Sequence, residues 1–323
     1  MIDIKASAPG KVIIAGEYAV LDGAPAICMA VNRRAHVSIR SSSENYHTVA
    51  APGFAEKAVS FASISECAED YPLLAAVWQA LQIDTPGFLN IVLDSSGFSD
   101  AEAGKIGIGS SAALTVALTA ALDRLAGESR DIRGIAMAAH RHLQGGAGSG
   151  ADIACCLAGG TIEYRMGEIL SAELAWPAGL SYALLWSGVP ADTGIQLDKL
   201  DSAEAHDSRT ELANSATAVA QAWRSGVPEQ VVSELREYTA TLRRFDVDHK
   251  LGIFDAGHAA LADSAKTSEL VYKPCGAGGG DLGVAISSDP SELAAFVDIA
   301  RQQNFRLMDL AIDATGVVAD GNE

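Results

Sequence analysis

Apolar positions in this chain recur with two different periods, and the change from one to the other marks out its elements. Alternating or continuous apolar runs at Val12 to Ala15, Ala26 to Val31 and His36 to Arg40 predict short strands, divided by turn residues around Asp22-Gly23 and at Asn32. These make a mostly antiparallel opening sheet. Ser41 to Asn45 reads as a polar turn, Tyr71 to Leu81 carries apolar residues at helical spacing, and Leu89 to Leu93 is another strand. Ser110 to Leu125 is the clearest helix: it is dense in Ala and Leu, opens on two serines that are candidate N-caps, and ends before Gly127. A further helix from Ile132 to Leu143 stops at the cluster Gly145-Gly-Ala-Gly-Ser-Gly150, and Asp152 to Leu157 restarts one beyond it.

Thr161 to Arg165 and Leu180 to Trp186 read as strands. Trp176-Pro177 between them places a domain boundary, giving an N-terminal domain over 1–177 and a C-terminal domain over 178–323. Helical patterns follow at Glu204 to Arg224, Pro228 to Arg244 and Gly252 to Asp263, then a glycine run at 276–280. A strand at Leu282 to Ile286, a helix at Ser291 to Gln302 and a strand at Arg306 to Ile312 complete the chain. Strands and helices mix without strict βαβ alternation, which predicts an α+β fold. No fixed-period repeat or low-complexity tract points to a solenoid.

Composition narrows the function classes. The 323 residues are 49% apolar and 20% charged, enough to bury a large core in one big domain or two of ordinary size. Against 23 basic residues stand 41 acidic ones, and the net charge of −18 repels nucleic acid and anionic membrane surfaces. No nucleic-acid or membrane partner is expected. An anionic substrate would need cations gathered at its site, so lysines next to motifs become informative. The charge-free stretches Ile106 to Leu122 and Leu174 to Ala191 are interrupted by Gly, Ser, Thr or Pro and do not read as membrane spans. The 5 cysteines are an odd number without Cys-x-x-Cys spacing, and Met1-Ile-Asp-Ile-Lys5 has no signal-peptide pattern, so a reducing, cytoplasmic setting is expected.

Gly107-Ile-Gly-Ser-Ser-Ala-Ala113 sets two glycines and two hydroxyls directly before the clearest helix. Free backbone N–H groups and the positive helix end converge there, an arrangement suited to phosphate. Ser110 or Ser111 can bind phosphate oxygens or Mg²⁺, and Lys105 adds a cation beside the loop. An ordinary capped core helix is the competing reading of this segment taken alone. Gly107, Gly109 and Ala112 also satisfy G-x-G-x-x-A, with Glu128 and Asp131 roughly 20 residues on. That dinucleotide reading lacks the strand that should end in the ribose-binding acid, and G-x-x-x-x-G-K-[ST] is absent.

Read together, Pro9-Gly-Lys-Val-Ile-Ile-Ala-Gly-Glu-Tyr-Ala-Val-Leu-Asp-Gly23, the 105–113 loop and Cys275-Gly-Ala-Gly-Gly-Gly-Asp-Leu-Gly-Val-Ala285 resemble the galactokinase, homoserine kinase, mevalonate kinase and phosphomevalonate kinase (GHMP) superfamily. The three motifs occur in order across nearly the whole chain. Gly16-Glu-Tyr-Ala-Val-Leu21, Lys105, Ala139-His140 leading to Gln144-Gly145 and Gly148-Ser-Gly-Ala-Asp152, and Trp186-Ser-Gly-Val-Pro-Ala-Asp-Thr193 are similar to phosphomevalonate kinases. The resemblance implies a two-domain GHMP kinase fold, ribosomal protein S5 domain 2-like in its N-terminal half and ferredoxin-like in its C-terminal half. It implies ATP and Mg²⁺ as cofactors, a small-molecule substrate, most closely 5-phosphomevalonate, and a monomer or homodimer.

By the same resemblance, Lys11 neutralises charge on the transferring phosphate and Asp152 orients the acceptor or acts as base. Lys105, Gly107, Ile108, Gly109, Ser110, Ser111 and Ala112 hold ATP, with Ser111 also the magnesium ligand. Glu17, Tyr18, Ser149, Gly150, Gly278, Gly279 and Asp281 lie at the acceptor, Asp281 fixing the C-terminal glycine loop. Three departures bear on the acceptor. Gly146 stands where phosphomevalonate kinases often have lysine, and Arg141 where mevalonate kinases usually carry a magnesium-binding Glu. Ala151 replaces a bulkier residue. Another small-alcohol kinase, a diphosphomevalonate decarboxylase and a non-catalytic relative stay open as alternatives; the last should have lost Lys11 or Asp152, and both are present.

His140 and His142, two apart on a helix, point in different directions and read as surface or packing residues rather than a metal pair. Cys155 and Cys156 read as small buried hydrophobes, and Arg33 and Arg34 as solvated surface.

Overall fold

Two sheets, each backed by helices, account for the mixture of periods in the sequence. The computed structural model describes residues 2–84, 87–100, 104–127, 130–146, 148–168, 171–191, 200, 207–267 and 269–322. Asp192 and Thr193 of the motif at 186–193, Glu128 of the dinucleotide pattern, and the start of the helix expected from Glu204 lie outside the described residues.

Strand β1 (Asp3–Ala15) begins well before Val12, because Ile4, Ala6 and Ala8 alternate inward ahead of Pro9. The proline and glycine that masked this strand sit at a bulge, where the register with β2 (Ala26–Ser41) shifts between Pro9 and Gly10. β2 in turn runs unbroken through Asn32, expected to be a turn. A crossing segment satisfies that residue instead: Asn32 donates its N–H to the Ala311 carbonyl at 3.0 Å, and its side-chain oxygen accepts the Ala311 N–H at 3.0 Å. Arg34 departs from expectation too. Its guanidinium is partly buried, donating to Asp313 at 2.6 Å and to the carbonyls of Ser7 and Gly316 at 3.1 and 2.7 Å, while Arg33 stays exposed.

Around β1 and β2 the first sheet adds β3 (His47–Ala50), β4 (Val59–Phe61) and β5 (Leu89–Asp94), in the order β1, β2, β5, β3, β4. The short hairpin of β6 (Ser99–Asp100) and β7 (Gly104–Lys105) stands apart from it. β8 (Thr161–Tyr164) pairs with the first part of β2 and carries β9 (Ala172–Leu174). All of these pairings are antiparallel except β3 with β5.

Helices α1 (Pro72–Ala80), α2 (Ser110–Ala126), α3 (Ile132–Leu143) and α4 (Ala151–Ala158) form a layer centred on α2, which touches the other three as well as β1 and β2. Its alanines let neighbours approach on several sides, and nearly every residue from Ala112 to Leu122 is buried. Thr115 and Thr119 avoid unpaired hydroxyls by donating to the carbonyls of Ser111 and Thr115, each at 2.8 Å.

The second sheet is antiparallel, in the order β11 (Leu270–Pro274), β12 (Leu282–Ser287), β10 (Ser181–Trp186), β13 (Arg306–Met308). Helices α5 (Asp207–Ser225) and α6 (Pro228–His249) pack along each other, α6 and α7 (His258–Ser264) contact β11, and α8 (Pro290–Gln302) covers β10 and β12. The helix expected from Gly252 starts only after Gly257, because positive φ at Lys250, Gly252, Ala256 and Gly257 breaks the run and Asp246 takes the N–H groups of Ile253 and Phe254. The strand expected to reach Ile312 ends at Met308; Val31 and Ile312 form an isolated bridge between β2 and the next segment. The final strand β14 (Val318–Asn322) returns to pair with Asp3–Ser7 of β1. No helix among the described residues is long and apolar enough to cross a membrane.

Where the two sheets meet, Lys273 of β11 reaches Glu17 with both side chains almost wholly buried. Tyr238 of α6 donates to the other Glu17 oxygen at 3.0 Å and accepts the Gly16 N–H at 3.0 Å. Lys273 also donates to the Pro274 carbonyl at 2.7 Å. Breaking such a pair leaves one charge buried alone, which costs about 3–5 kcal/mol. Lys273→Met is therefore expected to lower unfolding stability by about that amount, and pairing it with Glu17→Gln should return much of the loss; denaturant titration of the two variants checks both.

Candidate active site

The turn before α2 is held by its apolar neighbours and shaped by its glycines. Ile106 and Ile108 are buried, and the Ile108 carbonyl accepts the Lys11 N–H at 2.9 Å, fastening the turn to β1. Gly107 and Gly109 adopt φ of 86° and 77°, and a side chain on either would collide with the site. A Cβ on Gly107 would lie 2.2 Å from the Asp281 carboxyl carbon, and one on Gly109 would lie 2.8 Å from Lys11 Cε. Gly109, not a serine, occupies the N-cap position in a left-handed conformation, and no side chain caps the helix. Ser110 and Ser111 therefore stand in the first turn, so the leading amides keep their freedom to bind an anion. Ile108 and Ala112 have buried side chains and can contribute only backbone.

Opposite this turn, Gly150 (φ 84°) opens α4 and puts Asp152 in its first turn. Ser149 is fixed by the Tyr164 hydroxyl, which donates to its carbonyl at 2.6 Å, and its own hydroxyl accepts the Ala151 N–H at 3.3 Å. Lys11, Ser111, Lys105, Tyr18, Asp152 and Asp281 border one polar cavity of about 240 Å³, which Glu17, Ser149 and Gly278 also reach. Gly150 and Gly279 do not border it; Gly279 donates its N–H to the Ile253 carbonyl at 2.9 Å. A second cavity of about 420 Å³, walled by Tyr71, Leu74, Phe98, Leu114 and Leu143, shares Lys105, Ser110 and Ser111 with the first. A polar and an apolar chamber thus meet at one turn, a shape that suits a planar apolar base joined to a chain of phosphates.

Two of the expected acceptor contacts have other work. Both Glu17 oxygens are engaged inside the protein, by Lys273 and Tyr238. The Tyr18 hydroxyl donates to the Ala277 carbonyl at 2.6 Å, and burial pushes that phenol above its ordinary range. Asp281, at φ 53°, ties the glycine loop to the segment after β10: its carboxylate accepts the Ala191 N–H at 3.1 Å and its N–H donates to the Val189 carbonyl at 2.7 Å. Burial raises the Asp281 carboxyl, opposed by the Ala191 N–H and by the nearby Lys105 and Lys11. Gly278 closes on Ile253, whose carbonyl oxygen would lie 2.6 Å from an added Cβ.

His140, read from the sequence as a surface or packing residue, lies between Ser111 and Asp152. It is buried, its Nε2 lies 3.2 Å from Ser111 Oγ, and its Nδ1 lies 3.7 Å from an Asp152 oxygen. His142 points away and is exposed, so the directional argument held for the pair but not for the ring. The sequence signal was its four-residue spacing from Gln144, the residue that caps the end of α3 and borders the polar cavity. Arg141 is exposed. Among the described residues no cluster of three or more His, Cys, Asp or Glu forms a metal cage. Magnesium delivered with a polyphosphate needs only one or two protein oxygens, and the Ser111 hydroxyl, at the junction of the two cavities, fits that demand.

Known proteins resemble this chain along most of its length. Residues 74–160 match the family model for the GHMP kinases N terminal domain. A phosphomevalonate kinase of Streptomyces sp. (strain CL190) is 31% identical over 86% of this chain and 88% of its own. A mevalonate kinase of Aeropyrum pernix is 32% identical over 62% of this chain and 60% of its own. The structure of Streptococcus pneumoniae phosphomevalonate kinase in complex with phosphomevalonate and AMPPNP superposes with a TM-score of 0.80 at 19% identity, covering 95% of this chain and 99% of that one. The Lin0012 protein of Listeria innocua superposes at 0.84 with 24% identity, over 98% and 99%. The structural likenesses establish the shared α+β fold.

Beneath the glycine loop, His258 donates from Nε2 to the Gly280 carbonyl at 3.1 Å and accepts the Tyr272 hydroxyl on Nδ1 at 2.7 Å. Burial lowers its pKa from 6.5 to about 4. An unfolded chain protonates this ring below 6.5 while the folded protein resists until about 4, so stability should fall across that window as pH drops and level off below it. The loss is expected to be roughly 3 kcal/mol. Denaturant titrations between neutral pH and 4 should show it shrinking in His258→Gln.

Proposed function

Because this chain belongs to the GHMP kinase family, we propose that it transfers the terminal phosphoryl group of Mg·ATP to 5-phosphomevalonate, yielding 5-diphosphomevalonate and ADP. The observation that carries the reading is the convergence of Lys11, Asp152 and the 107–111 turn on one cavity, beside an apolar chamber of nucleoside size. In the transfer an oxygen of the acceptor's phosphate bonds to the terminal phosphorus as the bridging bond to ADP breaks. Little covalent work falls to the protein, and alignment and charge neutralisation dominate.

Lys11, held against Gly109, meets the negative charge that develops on the transferring group. The amides of the 107–112 turn hold the phosphate chain, and Lys105 reaches both cavities from the β6–β7 hairpin. Ser111 would hold the magnesium ion, which when bound screens the phosphate oxygens from one another. Asp152 orients the acceptor and Lys11; an ionised phosphate needs no strong base, so positioning suffices.

The Streptomyces relative, aligned along most of both chains, supports the phosphorylated acceptor. So does Arg141, which stands where mevalonate kinases usually bear their magnesium glutamate. One feature favours mevalonate as a second reading: with Gly146 in place of a lysine, Lys11 and Lys105 are the only cations bordering the polar cavity among the described residues.

A coupled ADP-release assay with Mg·ATP against 5-phosphomevalonate, mevalonate, homoserine and galactose distinguishes the acceptors. We expect 5-phosphomevalonate to exceed the others in kcat/KM by about 100-fold or more; a preference for mevalonate would overturn the acceptor assignment, and CO₂ and phosphate released with ADP from 5-diphosphomevalonate in a parallel assay would identify a decarboxylase instead. Asp152→Ala should lower kcat by about 10²- to 10⁴-fold with little change in thermal stability. Turnover surviving within a few-fold would remove Asp152 from its assigned role.

A further inference from the structure

We propose that His140 is a positioning residue for the transfer, holding the nucleotide-side hydroxyl of Ser111 and the acceptor-side carboxylate of Asp152 in one fixed relation; this rests on the kinase reading above. The imidazole lies where the start of α2, the end of α3 and the start of α4 come together, and its side chain is 3% exposed against 21% for Asp152. It spans the interval between the two side chains: Nε2 is 3.2 Å from Ser111 Oγ, and Nδ1 is 3.7 Å from Asp152 Oδ2.

The second distance is outside hydrogen-bond reach, yet a carboxylate facing Nδ1 still favours the tautomer with its proton there. Nε2 is then an acceptor, and the Ser111 hydroxyl must donate to it. Committing that hydrogen inward leaves the serine's lone pairs free to face the cleft, which is the state a cation or its bound phosphate requires. A serine free to rotate would spend part of its time presenting hydrogen to the same place. Asp152, for its part, gains a fixed partner on the side away from the acceptor, while its Oδ1 accepts the Ile153 N–H at 2.9 Å.

The order of groups is that of a hydrolytic Ser, His, Asp relay, but the burial is reversed. In such a relay the imidazole must reach a proton on the substrate side, with the acid behind it. Here the imidazole is enclosed and the acid opens on the cavity, so His140 can orient its neighbours and cannot serve as the base.

The test uses His140→Leu, His140→Gln and Ser111→Ala singly, with the double variant His140→Leu/Ser111→Ala. The readouts are kcat and KM for both substrates, and equilibrium affinity for ADP with and without Mg²⁺ by calorimetry. Loss of an outer partner of this kind costs about 10- to 100-fold. His140→Leu should therefore lower kcat by about that factor, leave the acceptor KM within about 3-fold, and erode the gain in ADP affinity that Mg²⁺ confers. His140→Gln, whose amide oxygen reaches the Nε2 position, should recover most of both. In Mg²⁺-dependent ADP affinity the double variant should be no worse than Ser111→Ala alone, since on the nucleotide side the histidine acts through the serine.

Multiplicative losses of Mg²⁺-dependent ADP affinity in the double variant, a His140→Leu enzyme within about 3-fold of the parent, or a folded His140→Gln as impaired as the leucine variant would each overturn the proposal. Should His140→Leu fail to fold, His140→Asn, which reaches only the Nδ1 position, takes its place against His140→Gln. The ADP arms need no acceptor, so they report on His140 even where the acceptor assignment fails.

Discussion

The site depends on one close approach: a turn stripped of side chains at two positions, pressed between Lys11 on one flank and Asp281 on the other. Lys11 comes from β1 of the first sheet, whereas Asp281 comes from the glycine loop that precedes β12 of the second. Gly107 and Gly109 are therefore required by more than their positive φ, because any Cβ there would occupy the space in which the two side chains lie. The same pair of contacts fixes the distance between the sheets at the cleft. A phosphate-binding turn that would otherwise be a local feature of α2 becomes the place where the halves of the molecule are registered against each other.

That registration is reinforced deeper in by Glu17, Lys273 and Tyr238. A buried ion pair with its hydrogen bonds satisfied adds little net stability over a well-packed apolar pair, but it penalises misplacement severely, since any shift strands a charge. Glu17 follows β1 by two residues and Lys273 is the penultimate residue of β11, so the pair joins the strand that carries Lys11 to the strand that leads into the glycine loop. Its contribution to function is indirect: it holds Lys11 and Asp281 at the separation the turn needs.

Legibility in the sequence followed how local each cause was. Helix α3 was legible to the residue and α2 to within one, because the glycines that stop them stand beside them in the chain. Strand β11 was missed because it holds a lysine and a proline, and only the distant Glu17 makes a lysine tolerable in a wholly buried strand. β14 was missed for a similar reason: its Asp, Gly and Asn pattern has no apolar face, and its place is set by pairing with β1 some three hundred residues away. The glycine-rich motifs were legible because their spacing encodes backbone geometry directly. His140 was not, since its meaning lies in where α2 and α4 bring Ser111 and Asp152.

Charge gives the arrangement its selectivity. A protein of net charge −18 with three acids at its cleft should repel polyphosphates, and the acids are managed in three different ways. Glu17 is cancelled by Lys273. Asp281, which also borders the cavity, is driven toward its neutral form by burial, opposed by the Ala191 N–H and by the nearby Lys105 and Lys11. Asp152 is partly open to the cavity, with His140 beside it. The cleft thus sets two lysines and a helix terminus against these acids, which is what lets so acidic a protein receive an anion there.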